Sequence, residues 1–190
     1  MKFLLYQKIK FPFKSANTYF CQSLIFGQAN KIIKDNMKLA TLCYVFDKKN
    51  NSTLMIYRNK KQNDYHEGKW NGLGGKFEPG ESPEECAVRE IEEESGLKVK
   101  SIKMRGFITF PLFDGKDDWY VFLFTADQYV GALIDSPEGS LEWIPNHRLT
   151  EINLWEGDKI FIPWLFEDKF FSAKFNYKDG KFVDYSVVFY

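Results

Sequence analysis

GKFEPGESPEECAVREIEEESGL, residues Gly75 to Leu97, is the stretch on which the reading of the whole chain turns. Ser82 is a good N-cap, because its hydroxyl accepts from the free N–H groups of a first helical turn. Pro83 suits the first helical position, where no N–H is needed. Glu85 stands three residues after Ser82, the spacing of a capping box. Gly96 supplies the left-handed residue that closes a helix. A loop followed by a helix from Pro83 to Ser95 is therefore expected. Residues four apart share a helix face, so Ala87 and Ile91 make an apolar stripe with Glu90 and Glu94 beside it. Glu93 lies three residues from Glu90, which puts three carboxylates at the border of the buried face.

Like charges at that spacing cost a helix roughly 0.2–0.5 kcal/mol per pair, and burial raises the cost. A divalent cation relieves it. Hard cations such as Mg²⁺ take carboxylate oxygens and share them with substrate phosphates. The competing reading is a solvated acidic face held by an i, i+4 pair of Arg89 with Glu93. The agreement of glycine, cap and charge positions favours the metal site.

The same residues carry a family likeness. Gly75, Glu81, Arg89-Glu90-Ile91, Glu93-Glu94 and Gly96-Leu97 occupy the fixed positions of G-x5-E-x7-R-E-U-x-E-E-x-G-U, with U a bulky apolar residue. The segment resembles the Nudix box at every one of them. The resemblance implies an α/β fold, an α/β/α sandwich around a mixed β-sheet. It also implies hydrolysis of a nucleoside diphosphate linked to another moiety, with Mg²⁺ (or Mn²⁺) as cofactor on the loop–helix–loop.

Working outward, 190 residues are enough for one domain with a proper core. Twenty-six basic residues balance 26 acidic ones, so no global charge draws the chain to nucleic acid or to a membrane surface. Cys21, Cys43 and Cys86 show neither paired nor metal-ligand spacing and read as reduced thiols of a cytoplasmic protein. The 19 phenylalanines lift the aromatic share to 18%, which points to a heavily packed core and a stacking pocket. No apolar run approaches the roughly 18 residues of a membrane span. Residues 1–36 are basic and unlike the rest, with no h-region for a signal peptide. Met37 opens the strand-like MKLATLCYVF. The favoured expectation is that Met37 is the natural start and that residues 1–36 come from an over-long gene assignment; a real basic arm is the alternative. Residues 37–190 are the expected catalytic domain.

Within it, Leu39 to Asp47 and Thr53 to Arg58 read as a hairpin about Lys48-Lys49-Asn50-Asn51. A polar loop follows to Lys69. Trp70 to Phe77 holds too many glycines for a regular element and suits close backbone approach to a ligand. Ile102 to Phe113 and Trp119 to Thr125 make a second hairpin, and Leu141 to Ile144 a short strand. Trp155 to Phe166 suits a helix. Phe170 to Tyr177 and Lys181 to Val188 flank Asp179-Gly180, a type I′ turn signal.

Over residues 38–190 the chain resembles the MutT-like branch of the family, which removes oxidised purine nucleoside triphosphates, and its MutX-type bacterial members above all. The residues that carry this are Trp70 to Lys76, Glu138 with Leu141-Glu142-Trp143-Ile144-Pro145, and Trp155-Glu156-Gly157-Asp158 with Pro163 and the hairpin after Lys169. The resemblance implies Glu138 as a further metal ligand and the Gly74 carbonyl as another. It implies Lys76 and Arg58 as phosphate contacts, Thr41 as a pocket-lining residue, and a nucleoside monophosphate and pyrophosphate as products. For the base, Asn71 offers a donor and an acceptor in one amide, Trp155 a stacking face, Phe110 the opposite wall, and Asp158 a partner for the purine edge. Plain core packing is the alternative for Trp155 and Phe110. Glu90 and Glu94 are expected as direct ligands, Glu93 as ligand or general base, Arg89 as orienter of the carboxylates, and Glu81 as support of the loop. One departure stands out. The vertebrate pattern has two adjacent acids after the tryptophan and one intervening residue, and here the first is Gly157. His66 and His147 read as surface residues. The rival functions are a Nudix hydrolase of ADP-ribose, a dinucleoside polyphosphate or an ordinary dNTP, an RNA 5′-end hydrolase, and a non-catalytic nucleotide-binding regulator. The last has no need of the carboxylate set, and the RNA reading lacks a basic, aromatic-studded groove.

Overall fold

β1 (Met37–Asp47) sends alternate side chains to two different cores. Ala40, Leu42, Tyr44 and Phe46 face one, Cys43 and Val45 the other. β2 (Ser52–Tyr57) continues the division, with Met55 on the first side and Leu54 and Ile56 on the second. The computed structural model describes residues 37–61 and 64–190. The expectations for residues 1–36, Cys21 among them, lie outside the described residues.

The other strands are β3 (Trp70–Asn71), β4 (Lys98–Val99), β5 (Lys103–Phe110), β6 (Asp118–Ala126), β7 (Tyr129–Val130), β8 (Ser140–Pro145), β9 (Phe171–Lys178) and β10 (Lys181–Phe189). The main sheet runs β10-β9-β5-β6-β1-β2-β3, and β8 also pairs with β2. It is mixed: β1 lies parallel to β6 and β5 parallel to β9, while the hairpin pairs are antiparallel. β4 and β7 form a separate two-stranded pair.

Two helices cover the two faces. α1 (Pro83–Ser95) lays Ala87 and Ile91 onto Cys43, Val45 and Leu54. α2 (Glu156–Phe161) and the 3₁₀ segment Ile162–Phe166 bring Phe161, Ile162 and Leu165 onto Tyr44, Ile108 and Phe175. This is the α/β/α sandwich around a mixed sheet that the family resemblance implies. The caps of α1 take the expected form. Glu85 N–H donates to Ser82 Oγ at 3.2 Å, Ser82 N–H donates to the Glu85 carboxylate at 2.8 Å, and Gly96 is left-handed at φ 76°. Asp179 and Gly180, at φ 51° and 72°, make the two-residue turn of the last hairpin.

Three expectations need correction. The helix from Trp155 to Phe166 is α-helical only as far as Phe161. Pro163 has no N–H to give, and its ring crowds the carbonyl four residues back, so the chain tightens to 3₁₀. The strand from Ile102 stops at Phe110, because Pro111 cannot donate to a ladder and Leu112 takes a φ of 46°. The glycine-rich run contains the short β3, paired to β2 through Ile56 and Asn71. Among the described residues no helix is long and apolar enough to cross a membrane.

Ile91 is 1% exposed and anchors α1 to the sheet. Ile91→Ala is expected to lower unfolding free energy by about 2–5 kcal/mol in urea titration. A loss under about 1 kcal/mol would mean that α1 is not held by this packing.

Candidate active site

The site starts from backbone. Residues 72–75 lie antiparallel against β1: Leu73 N–H donates to Cys43 O at 2.9 Å, Cys43 N–H to Leu73 O at 2.6 Å, and Thr41 N–H to Gly75 O at 2.9 Å. At the glycines there is no room for side chains. A Cβ on Gly74 would stand 2.2 Å from Thr41 O, and one on Gly75 would stand 2.3 Å from Glu90 Oε1. The strip of glycine is thus wedged between β1 and the acidic edge of α1.

That edge is crowded. Glu94 is 3% exposed and accepts from Gly74 N–H at 2.8 Å. Burial pushes its carboxyl up to about 8, against the pull of the Gly74 N–H and Arg58. Burial also raises the Glu90 carboxyl. The Arg58 guanidinium lies 3.5 Å from Glu94, 2.6 Å from Glu138 and 2.7 Å from Asp64. Lys61 joins it at Glu138. Arg89 gathers the other end. It donates from Nε and Nη2 to the two oxygens of Glu81 at 2.6 and 2.9 Å, from Nη1 to Glu90 at 2.7 Å and Glu93 at 3.1 Å, and from Nη2 to Lys76 O at 3.1 Å. The Arg89 bonds hold the Glu81 carboxyl down to about 2, and Glu81 in turn accepts from Glu78 N–H at 2.8 Å. Among the described residues no three acidic, histidine or cysteine side chains close around one point as a finished metal cage. Positive side chains hold the carboxylates in place instead.

Every site residue singled out from the sequence except Glu81 and Glu93 lines one cleft of about 440 Å³. The Glu93 side chain is 59% exposed and meets Arg89. Lys76 stands over Trp119, 5.3 Å from the ring centroid. Thr41 is buried in β1, with Oγ1 at 3.5 Å from Cys86 Sγ; Cys86 and Cys43 are both free and buried. Asn71 reaches the cleft from β3.

At the far end Trp155 and Phe110 do not face each other as a simple pair. Phe113 stands between them, 5.2 Å from Trp155 and 5.5 Å from Phe110, and Tyr65 stacks parallel to Trp155 at 5.4 Å. Asp158, in the first turn of α2, is 6% exposed. Burial pushes its carboxyl up to about 8, with Lys69 pulling the other way. His66 is not the surface residue expected. It lines the cleft, its Nδ1 accepts from Trp155 Nε1–H at 3.0 Å, and burial pushes its imidazole down to about 4, so it stays neutral. Asp64, His66, Phe113 and Tyr177 are all absent from the sequence-based set. The loop from Asn59 to Lys69 has no periodicity to mark it, and Phe113, in the turn after β5, meets Tyr177, near the end of β9, only through the tertiary fold.

The profile of the NUDIX domain matches residues 37–165. The chain belongs to the Nudix family. As a Nudix enzyme it is a pyrophosphohydrolase, and enzymes of this family generally use divalent metal ions. It is 34% identical over 119 residues to the oxidized purine nucleoside triphosphate hydrolase of Mus musculus, covering 63% of this chain and 76% of the relative. It is 33% identical over 118 residues to the protein of the same name in Danio rerio, covering 62% and 76%. The crystal structure of the MutT protein from Bacillus halodurans superposes with a TM-score of 0.69 at 31% identity, covering 79% of this chain and 97% of that one.

Asp158 gives this Nudix domain a pH signature. Its folded carboxyl titrates near 8 and an unfolded one near 3.8, so between those values the folded state keeps a proton that the unfolded state has lost. Its contribution is complete below the lower value and fades as pH rises through the upper one. Chemical unfolding at pH 5 and pH 9 is expected to show a smaller loss of stability at high pH in Asp158→Asn than in the parent. Equal losses would place Asp158 in ordinary solvent.

Proposed function

We propose that this Nudix hydrolase cleaves purine nucleoside triphosphates, oxidised ones such as 8-oxo-dGTP among them, to the nucleoside monophosphate and pyrophosphate. The observation that carries the reading is a single cleft with two chemically different ends. One end is crowded with carboxylates and arginines beside a glycine strip. The other is walled by Trp155, Phe110 and Phe113 and carries the amide of Asn71 and the buried acid Asp158. A triphosphate belongs at the first, and a flat base with a hydrogen-bonding edge at the second. The names of the mouse and zebrafish relatives point the same way.

Glu90, Glu94 and Glu138, with the Gly74 carbonyl, would hold Mg²⁺, or Mn²⁺ on the same oxygen donors. The fit rests on burial and charge together: burial first, and then the neighbouring carboxylates (Glu90 and Glu138 on Glu94, Glu93 and Glu138 on Glu90), push these carboxyls up, a cost that a divalent cation would relieve. When bound, such an ion offsets charge on the phosphate oxygens and lowers the pKa of a bound water. The chain does the rest. Arg89 fixes the orientation of Glu81, Glu90 and Glu93. Arg58 ties Glu94 to Glu138 and, with Lys76, supplies positive charge along the phosphate path. Glu93 is assigned the proton-accepting role, which suits a carboxylate open to solvent that can pass the proton on. We place residues 37–190 as the catalytic domain, residues 1–36 as an extension, and the enzyme in the cytoplasm, cleansing the nucleotide pool on behalf of DNA without a nucleic-acid or membrane partner.

A panel of 8-oxo-dGTP, dGTP, ADP-ribose and a dinucleoside polyphosphate, each with Mg²⁺, tests the reading by kcat/KM. The largest value is expected for 8-oxo-dGTP; no preference over dGTP would defeat the sanitation role. Glu94→Gln should lower kcat/KM at least about 100-fold, since several kcal/mol of charge stabilisation depend on the bound ion. Glu93→Gln with full activity would remove Glu93 from the mechanism.

A further inference from the structure

Gly157 sits in the first turn of α2, where a Cβ would come within 2.7 Å of the Tyr177 hydroxyl and 2.9 Å of Phe175. The space a side chain would need is already filled. Tyr177 comes from β9, 20 residues further along the chain, and its Oη accepts from Gly157 N–H at 2.8 Å. Its ring stands edge-on to Phe113 at 5.0 Å and to Trp155 at 6.0 Å, so it belongs to the aromatic wall of the cleft. Burial first, and the neighbouring Asp158 second, push the phenol well above its ordinary value, which keeps it protonated. One lone pair of Oη is spent on Gly157. Among the described residues the phenolic hydrogen has no acceptor and the Asp158 carboxyl has no side-chain or backbone donor. Asp158, buried, and Tyr177, half-buried, therefore both line the base end of the cleft with bonding capacity left over, an arrangement that a polar ligand edge would satisfy.

We infer that Tyr177 is a specificity-determining residue of this enzyme, reading the purine edge together with Asp158 in the position that a second acid at 157 would otherwise fill. The inference rests on the purine triphosphate reading above. Its chemistry differs from that of an acid pair. A phenol held by Gly157 N–H is a fixed donor, so it favours an edge that presents an acceptor, such as the 6-oxygen of a guanine-type base, over the 6-amino group of adenine. Gly157 is then required by its partner: any side chain there displaces the hydroxyl.

The test compares kcat/KM for 8-oxo-dGTP, dGTP and dATP in the parent, in Tyr177→Phe and in Gly157→Ala, with melting temperatures alongside. Tyr177→Phe keeps the ring and removes only the donor. It is expected to lower the two guanine-type values about three- to tenfold while leaving dATP unchanged, the effect of one lost neutral hydrogen bond. Gly157→Ala, by pushing the hydroxyl aside, should shift the ratio in the same direction. A purely structural role would lower all three substrates by one common factor and leave the ratio where it was. That result in Tyr177→Phe overturns the inference while the purine reading survives. If the parent itself hydrolyses dATP as well as the guanine-type substrates, no purine edge is being read, and the inference falls together with the finer part of the functional reading. Should Tyr177→Phe prove too unstable to assay, the ratio in Gly157→Ala decides the matter alone.

Discussion

The site depends on one constraint: the backbone of Gly74 and Gly75 has to lie flat between β1 and the acidic edge of α1. Three backbone hydrogen bonds hold residues 73–75 to Thr41 and Cys43, and the Glu94 carboxylate takes the remaining N–H of Gly74. The missing Cβ of Gly74 lets the strip lie against β1, that of Gly75 makes room for the Glu90 carboxylate, and burial is what first raises the Glu90 and Glu94 carboxyls. A side chain at Gly74 would push the strip off β1, and one at Gly75 would displace the Glu90 carboxylate. The packing of Ile91 and Ala87 into the second core therefore sets more than stability; it sets how near the carboxylates stand to the glycine strip.

Charge at the site is arranged in two clusters with separate tasks. Arg89 is held within one element and the loop before it, reaching Glu81, Glu90, Glu93 and the Lys76 carbonyl. It makes the loop and helix one rigid unit. Arg58 reaches across elements, from the end of β2 to Asp64, to Glu94 on α1 and to Glu138 on the loop before β8. It joins parts of the chain that are eighty residues apart. The first cluster can form as soon as the helix does, whereas the second needs the sheet.

That difference explains which parts were legible in the sequence. α1, its caps and the placement of its carboxylates follow from residues within one short segment, and the structure returns them nearly residue for residue. The hairpins and the type I′ turn at Asp179-Gly180 are equally local. The base end is different. Asn71 comes from β3, Phe113 from the turn after β5, Asp158 from α2 and Tyr177 from β9. No spacing rule connects them, so nothing in the sequence marks Phe113 and Tyr177 or separates His66, which accepts from Trp155, from a surface residue. The exposure of Glu93 also escaped a pattern-based reading, because helical spacing places a residue on a face but does not say where a long side chain settles once Arg89 competes for it.

The same asymmetry bears on how the two ends respond to change. At the phosphate end each group is held by several others, so altering one leaves a buried charge without its partner, a costly defect. At the base end the wall is built of aromatic rings in edge and stacked contacts, and the polar groups Asp158 and Tyr177 keep bonding capacity for something outside the protein. A ring there can be exchanged for another of similar size at modest cost. Gly157 is the exception, since the Tyr177 hydroxyl leaves it no volume. Gly157 on α2 is thus tied to Tyr177 on β9 by volume: a side chain at 157 needs the phenol to move or to be lost.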